Sequence, residues 1–185
     1  MKRSARKTDS DRPSNEALRE RLDFDDARLV GECDVQIYKA SGPGGQHRNK
    51  VSSAVRLCHR ASGLVAIGSE SRSQHENKAR AIRRLREAFA LAVRVPVSTD
   101  FVWPDTVEIA NARLRVNEKN PAYHHVVAIV LDAFAQQGGK LKEAAAELKL
   151  TPSGLVKFLW EHRKAWREVA QMRARAGLGS LRPPK

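Results

Sequence analysis

The chain of 185 residues is poor in cysteine: Cys33 and Cys58 are the only two, and neither belongs to a C-x-x-C pair or stands at ligand-like spacing from a histidine. A disulfide framework and a zinc site are therefore excluded, and no metal or cofactor is expected. Long apolar runs are missing too. The longest, 126–135, is interrupted by Asp132 and falls far short of the roughly 20 residues of a membrane span. The first residues, M-K-R-S-A-R-K-T-D-S-D-R-P-S, lack the apolar core of a secretory signal, and Asp9 and Asp11 oppose an organelle transit peptide. They read as a disordered basic and polar arm over 1–24 of a cytoplasmic protein. No G-x-S-x-G, H-E-x-x-H or phosphate-binding loop is present, and there is no internal repeat or low-complexity tract.

What the chain has is positive charge. Lys and Arg number 34 against 21 Asp and Glu, a net charge of +13. The excess is concentrated: residues 41–94 hold 11 basic and 3 acidic side chains, and 140–185 hold 11 and 4. Residues 95–139, with 3 and 5, are slightly acidic. Two basic blocks suit two contact surfaces for a polyanion, since neutralising phosphates releases counterions.

Residues 42–46 read Gly-Pro-Gly-Gly-Gln. The glycines permit positive φ and close approach to another molecule, while Pro43 stiffens the loop and removes a donor. Gln46 is uncharged, so this loop is unsuited to acid, base or nucleophile chemistry on its own.

Around it, Val35 and Ile37 alternate with polar residues in a strand ending at Ser41, with a short helix expected over 14–32. Val51 to Cys58 alternates likewise, and Leu64 to Ile67 follows a Gly63 turn. Ser73 with Glu76 forms a capping-box pattern, after which Ala79, Ile82, Leu85, Ala88, Phe89 and Ala92 recur at helical spacing for about five turns. Pro96, Pro104 and Pro121 mark a linker, 96–120, with a short helix expected over 106–117. Beyond it helices are expected over 122–136, 140–149 and 153–176, with Thr151-Pro152-Ser153 as the turn of a helix-turn-helix-like pair. Trp160 and Trp166 read as core or interface anchors rather than as base-stacking platforms. The expected fold is α+β: a small antiparallel sheet covered by a helix over 25–95, then a helical basic domain over 121–177 and a tail over 178–185.

The stretch S-G-P-G-G-Q-H-R-N-K-V-S-S-A-V-R-L at 41–57, with S-G-L at 62–64 and E-S-R-S-Q-H-E-N-K-A-R-A at 70–81, resembles the peptidyl-tRNA hydrolase domain of translation release factors. The resemblance implies that the loop enters the peptidyl transferase centre of the large ribosomal subunit and promotes hydrolysis of the peptidyl-tRNA ester. Gly44, Gly45 and Gln46 would be the catalytic residues, the Gln46 backbone N–H standing where the oxyanion develops and its side chain admitting water but hindering larger nucleophiles. Gln46 would also be the site of modification by a glutamine methyltransferase. Contacts to ribosomal RNA are expected from His47, Arg48, Asn49, Lys50, Arg72, Gln74, Lys78, Arg80 and Arg83, and in the second basic block from Lys157, Arg163, Lys164 and Arg167. For Gln74 and Asn77, capping and turn hydrogen bonds are an equal expectation.

About 40 residues precede the loop, so the chain reads as a truncated member without a codon-reading domain, similar to factors that rescue stalled ribosomes. Two other readings stand beside this one. A helix-turn-helix regulator binding DNA would carry the glycine loop as a remnant. Hydrolysis of free peptidyl-tRNA would need a general base, for which His47, His59 and His75 are candidates by type.

Overall fold

A computed structural model describes residues 13–39 and 52–184. The chain divides into two compact units, Met1–Phe89 and Ala90–Lys185.

In the first unit the helix expected over 14–32 is two short helices. Ser14 caps α1 (Asn15–Arg19) by accepting from the Ala17 N–H, and Asp25 caps α2 (Asp26–Gly31) by accepting from the Arg28 N–H at 2.7 Å. A 3₁₀ turn, Glu20–Leu22, lies between them. Residues 15–24, assigned to the arm on sequence, are thus partly helical, because Leu22 and Phe24 have apolar surface to bury.

Three strands follow, β1 (Cys33–Tyr38), β2 (Ala54–His59) and β3 (Val65–Gly68), in an antiparallel sheet of order β1-β2-β3. The register sets Val35 opposite Leu57, Ile37 opposite Val55, and Leu57 opposite Ala66. Period-two alternation puts Val55, Leu57, His59 and Ala66 on one buried face. Helix α3 (Gln74–Ala92) covers that face with Ala81, Ile82, Leu85 and Phe89, all buried. Burying Leu85 and Phe89 stabilises by roughly 1.5–3 kcal/mol each. Only half of the expected capping box forms. Ser73 Oγ accepts from the Glu76 N–H at 3.3 Å, but the Ser73 N–H donates to Ser71 Oγ and the Glu76 carboxylate lies 3.6 Å from Arg80.

In the second unit the helix expected over 106–117 is instead a hairpin of β4 (Glu108–Ala110) and β5 (Arg113–Arg115). Its two-residue turn, Asn111 and Ala112, has φ of 52° and 54°, which matches the twist of paired strands. Alanine is a poor residue for that region, and the turn is held from outside: the Thr151 N–H donates to Ala112 O at 2.9 Å. Helix α4 (Tyr123–Gln136) is largely buried, and its Asp132 pairs with Arg94 at 3.2 Å and accepts from the Val95 N–H at 3.1 Å. Helices α5 (Leu141–Glu147), α6 (Pro152–Glu161) and α7 (Arg163–Arg175) pack in sequence, α5 and α7 also against α4. The single helix expected over 153–176 is therefore broken, at His162, whose φ of −111° and ψ of 79° leave the helical region.

Gly68 fixes how closely the helix approaches the sheet: a Cβ there would stand 2.0 Å from the backbone oxygen of Asn77. Gly68→Ala must push α3 off β3. It is expected to lower stability by about 3 kcal/mol, measured by urea unfolding of the full chain, whereas Gly31→Ala, which meets nothing within 4 Å, is expected to change it little.

Candidate functional site

Gly44, Gly45, Gln46, His47, Arg48, Asn49 and Lys50 lie outside the described residues. The two ends of their loop do not. Tyr38 and Ala54 are paired across β1 and β2, so the chain leaves the sheet and returns to it at adjacent positions.

The returning end is anchored by one buried amide. Asn77, 0% exposed, donates from Nδ2 to Ser53 O and to Ser71 O, both at 2.7 Å, and accepts at Oδ1 from the Ser71 N–H at 2.9 Å. Ser53 Oγ adds a bond to Ser71 O at 3.2 Å. Both amide hydrogens and the amide oxygen are thus used, and they join the loop's exit, the 69–73 turn and the first turn of α3. Of the two expectations for Asn77, capping and turn bonding is the one observed.

Beside this junction Arg72, Gln74, Lys78 and Arg83 are exposed, while Arg80 is half-buried. Arg72, Lys78 and Arg83 have no carboxylate partner among the described residues. Two neighbours on α3 are occupied by the fold. Arg84 meets Glu70 at 2.7 Å and donates to Ile67 O, and Arg86 meets Asp26 at 2.7 Å and donates to Phe24 O. The Ser69 N–H and then Arg84 hold the Glu70 carboxyl down at about 2.

His59 is spent on structure. Fully buried against the Phe89 ring at 5.0 Å, it has Nδ1 facing the Ser62 N–H at 3.1 Å and hydroxyl at 2.8 Å, and Nε2 on Glu32 at 2.8 Å. That arrangement fits an Nε2–H tautomer, with no ring nitrogen left for a base's work. Glu32 also receives Arg21 at 2.9 Å. Burial pushes the Glu32 carboxyl up, but the bonds from His59 and Arg21 outweigh it and leave it below its ordinary value. His75 is exposed near the start of α3, and His47 lies outside the described residues.

In the second unit Lys157, Arg163, Lys164 and Arg167 are all exposed on α6 and α7. Arg173 of the same basic helix is not available: it donates to Gly139 O and Gly179 O at 2.6–2.8 Å. Among the described residues no group of His, Cys, Asp and Glu is arranged to hold a metal, and no helix is long and apolar enough to cross a membrane.

Residues 30–100, which contain the loop, its anchors and α3, match the RF-1 domain family. Over this segment the chain is release-factor-like. It is 54% identical over 52 residues to peptide chain release factor 1 of Gluconobacter oxydans, a match covering 28% of this chain and 15% of that protein. It is 53% identical over 60 residues to the mitochondrial peptide chain release factor 1 of Saccharomyces cerevisiae, covering 32% and 14%. With the Leptothrix cholodnii factor the identity is 57% over 51 residues, covering 28% and 14%. The chain thus matches about a seventh of these relatives' length. Within the first unit, sequence reasoning found the sheet and the covering helix but missed Gly68 and the Glu32–His59–Arg21 group. A histidine in phase with Val55 and Leu57 on an apolar strand face was the available signal for the latter.

Asn77→Ala would leave Ser53 O and the Ser71 N–H without partners, and is expected to cost about 3 kcal/mol in urea unfolding. Asn77→Asp should cost no less, since it sets a carboxylate against two carbonyl oxygens. Acid should also weaken the unit. The Glu32 carboxyl lies lower folded than unfolded, so its stabilisation is present above its ordinary pKa and is lost as pH falls through the lowered value. Glu32→Gln is expected to destabilise at pH 7 and to converge with the parent chain at low pH, as a pH series of melting temperatures would show.

Proposed function

We propose that this protein is a ribosome-dependent peptidyl-tRNA hydrolase that releases nascent peptide without reading a codon, as in ribosome rescue. The observation that carries the reading is the match of residues 30–100 to the RF-1 domain family with Gly44-Gly45-Gln46 inside it. In this reading the loop reaches the peptidyl transferase centre. Gln46 presents its backbone N–H to the oxyanion and admits water, and the RNA supplies the rest of the site. No side-chain base is required of the protein, which agrees with the full occupation of both His59 nitrogens. Methylation of Gln46 by a glutamine methyltransferase belongs to the same reading.

Binding rests on the exposed cations Arg72, Lys78 and Arg83 of the first unit, with Gln74, Arg80 and the loop residues His47, Arg48, Asn49 and Lys50, and on Lys157, Arg163, Lys164 and Arg167 of the second. Lys and Arg on phosphates position a protein but carry no sequence information. That chemistry supports codon independence. It equally suits DNA phosphates, but the release-factor match gives the DNA-binding alternative no support.

Gly45→Ala is expected to abolish peptide release from ribosomes carrying a labelled peptidyl-tRNA while co-sedimentation with ribosomes persists, because a Cβ obstructs the close approach but leaves the cations in place. Gln46→Ala is expected to slow release or to let hydroxylamine compete with water. Wild-type release with unchanged nucleophile choice in Gln46→Ala would contradict the assigned role.

A further inference from the structure

The elbow between α6 and α7 carries a cluster to which the hydrolase reading gives no role. Trp160 and Trp166 meet there with ring centroids 5.2 Å apart and planes at 82°. In an unbroken helix, residues six apart stand about 120° around the axis and about 9 Å along it, a placement that separates their rings. The break at His162 creates the pair. The Arg163 guanidinium lies over the Trp160 ring, 3.9 Å from its centroid, so a planar cation is already ordered on the aromatic surface.

Packing alone does not account for this cluster. Trp103, the third tryptophan, packs edge-on against Phe101 and donates Nε1 to Leu148 O at 3.2 Å. Trp160 and Trp166 are only half-buried, and neither indole N–H has an acceptor among the described residues. The charges around them are also placed against local preference. The first turn of α7 has no acidic residue, and Arg163 is exposed at the helix end where the backbone dipole already disfavours cations. A bound anion relieves both.

We propose that the α6–α7 elbow is a binding site for single-stranded RNA, in which an unpaired base stacks on the Trp160–Arg163–Trp166 cluster and its phosphates meet Lys164 and Arg167. A nucleobase combines what the site offers partners for: flat apolar faces, acceptors at its edge for an indole N–H, and an attached negative charge. An acidic peptide uses the cations but leaves the rings idle, and a duplex keeps its base faces in its own stack. Stacking of this kind tolerates any sequence, in keeping with release that ignores the codon. The choice of RNA over DNA rests on the proposed ribosomal function; the stacking does not.

The test uses the full chain, no ribosome, and an oligouridylate of about twelve nucleotides, within the span such sites cover. Its failure is therefore separate from any failure of peptide release. Titration is expected to quench tryptophan fluorescence to saturation. Arg163→Ala and Trp166→Ala should each weaken binding about tenfold, with circular dichroism confirming that both variants fold. Lys164→Gln with Arg167→Gln should retain the quenching but flatten its salt dependence. Absence of quenching, equal binding of duplex RNA or polyglutamate, or unchanged affinity in Arg163→Ala would overturn the site. Oligothymidylate bound as tightly as oligouridylate would overturn the assignment to RNA.

Discussion

The side-chain amide of Asn77 is the interaction on which the first unit of this protein depends. It is buried where three segments converge: the exit of the glycine loop at Ser53, the turn at Ser71 and the first turn of α3. Its own backbone oxygen stands against Gly68, so the same residue sets both the tie and the spacing between sheet and helix. Under the proposed function the loop acts inside another molecule's active site, and such a loop needs rigid ends. Pairing of Tyr38 with Ala54 supplies the lateral constraint, and the Asn77 amide locks the second end to the longest helix.

Much of this was legible in the amino-acid sequence, where local pattern and tertiary structure agree. Alternation through Val55 and Leu57, the Gly63 turn and the apolar spacing from Ile82 to Phe89 each have one physical solution, and the sheet and its covering helix follow. The failures have equally local causes. Asn111-Ala112 lacks the glycine that announces a tight hairpin turn, and its positive φ is held by Thr151, some 39 positions later. The break at His162 has no proline or glycine to signal it. Arg84, Arg86 and Arg173 count as basic surface by composition, yet each is bound to a backbone carbonyl of the fold. Charge alone does not distinguish a cation available to RNA from one that holds a chain together.

The two units differ in how their exposed charge is arranged. In the first, Arg72, Lys78 and Arg83 are exposed, and the hydrogen-bonded group of Arg21, Glu32 and His59 is structural. In the second, α6 and α7 present Lys157, Arg163, Lys164 and Arg167 to solvent, beside the half-buried Trp160 and Trp166. Phosphate contact and base stacking are both indifferent to sequence. Under the proposed function, release guided by such surfaces responds to the presence of RNA rather than to its coding content.

Single-turnover peptide release compared on ribosomes with a stop codon, a sense codon or no codon in the A site, at one salt concentration, tests this account most directly. The account predicts equal rates on the two codons, with any preference confined to the empty site. A rate raised about a hundredfold by the stop codon, equivalent to roughly 2.7 kcal/mol of barrier, would contradict it and require a codon-reading element in the protein.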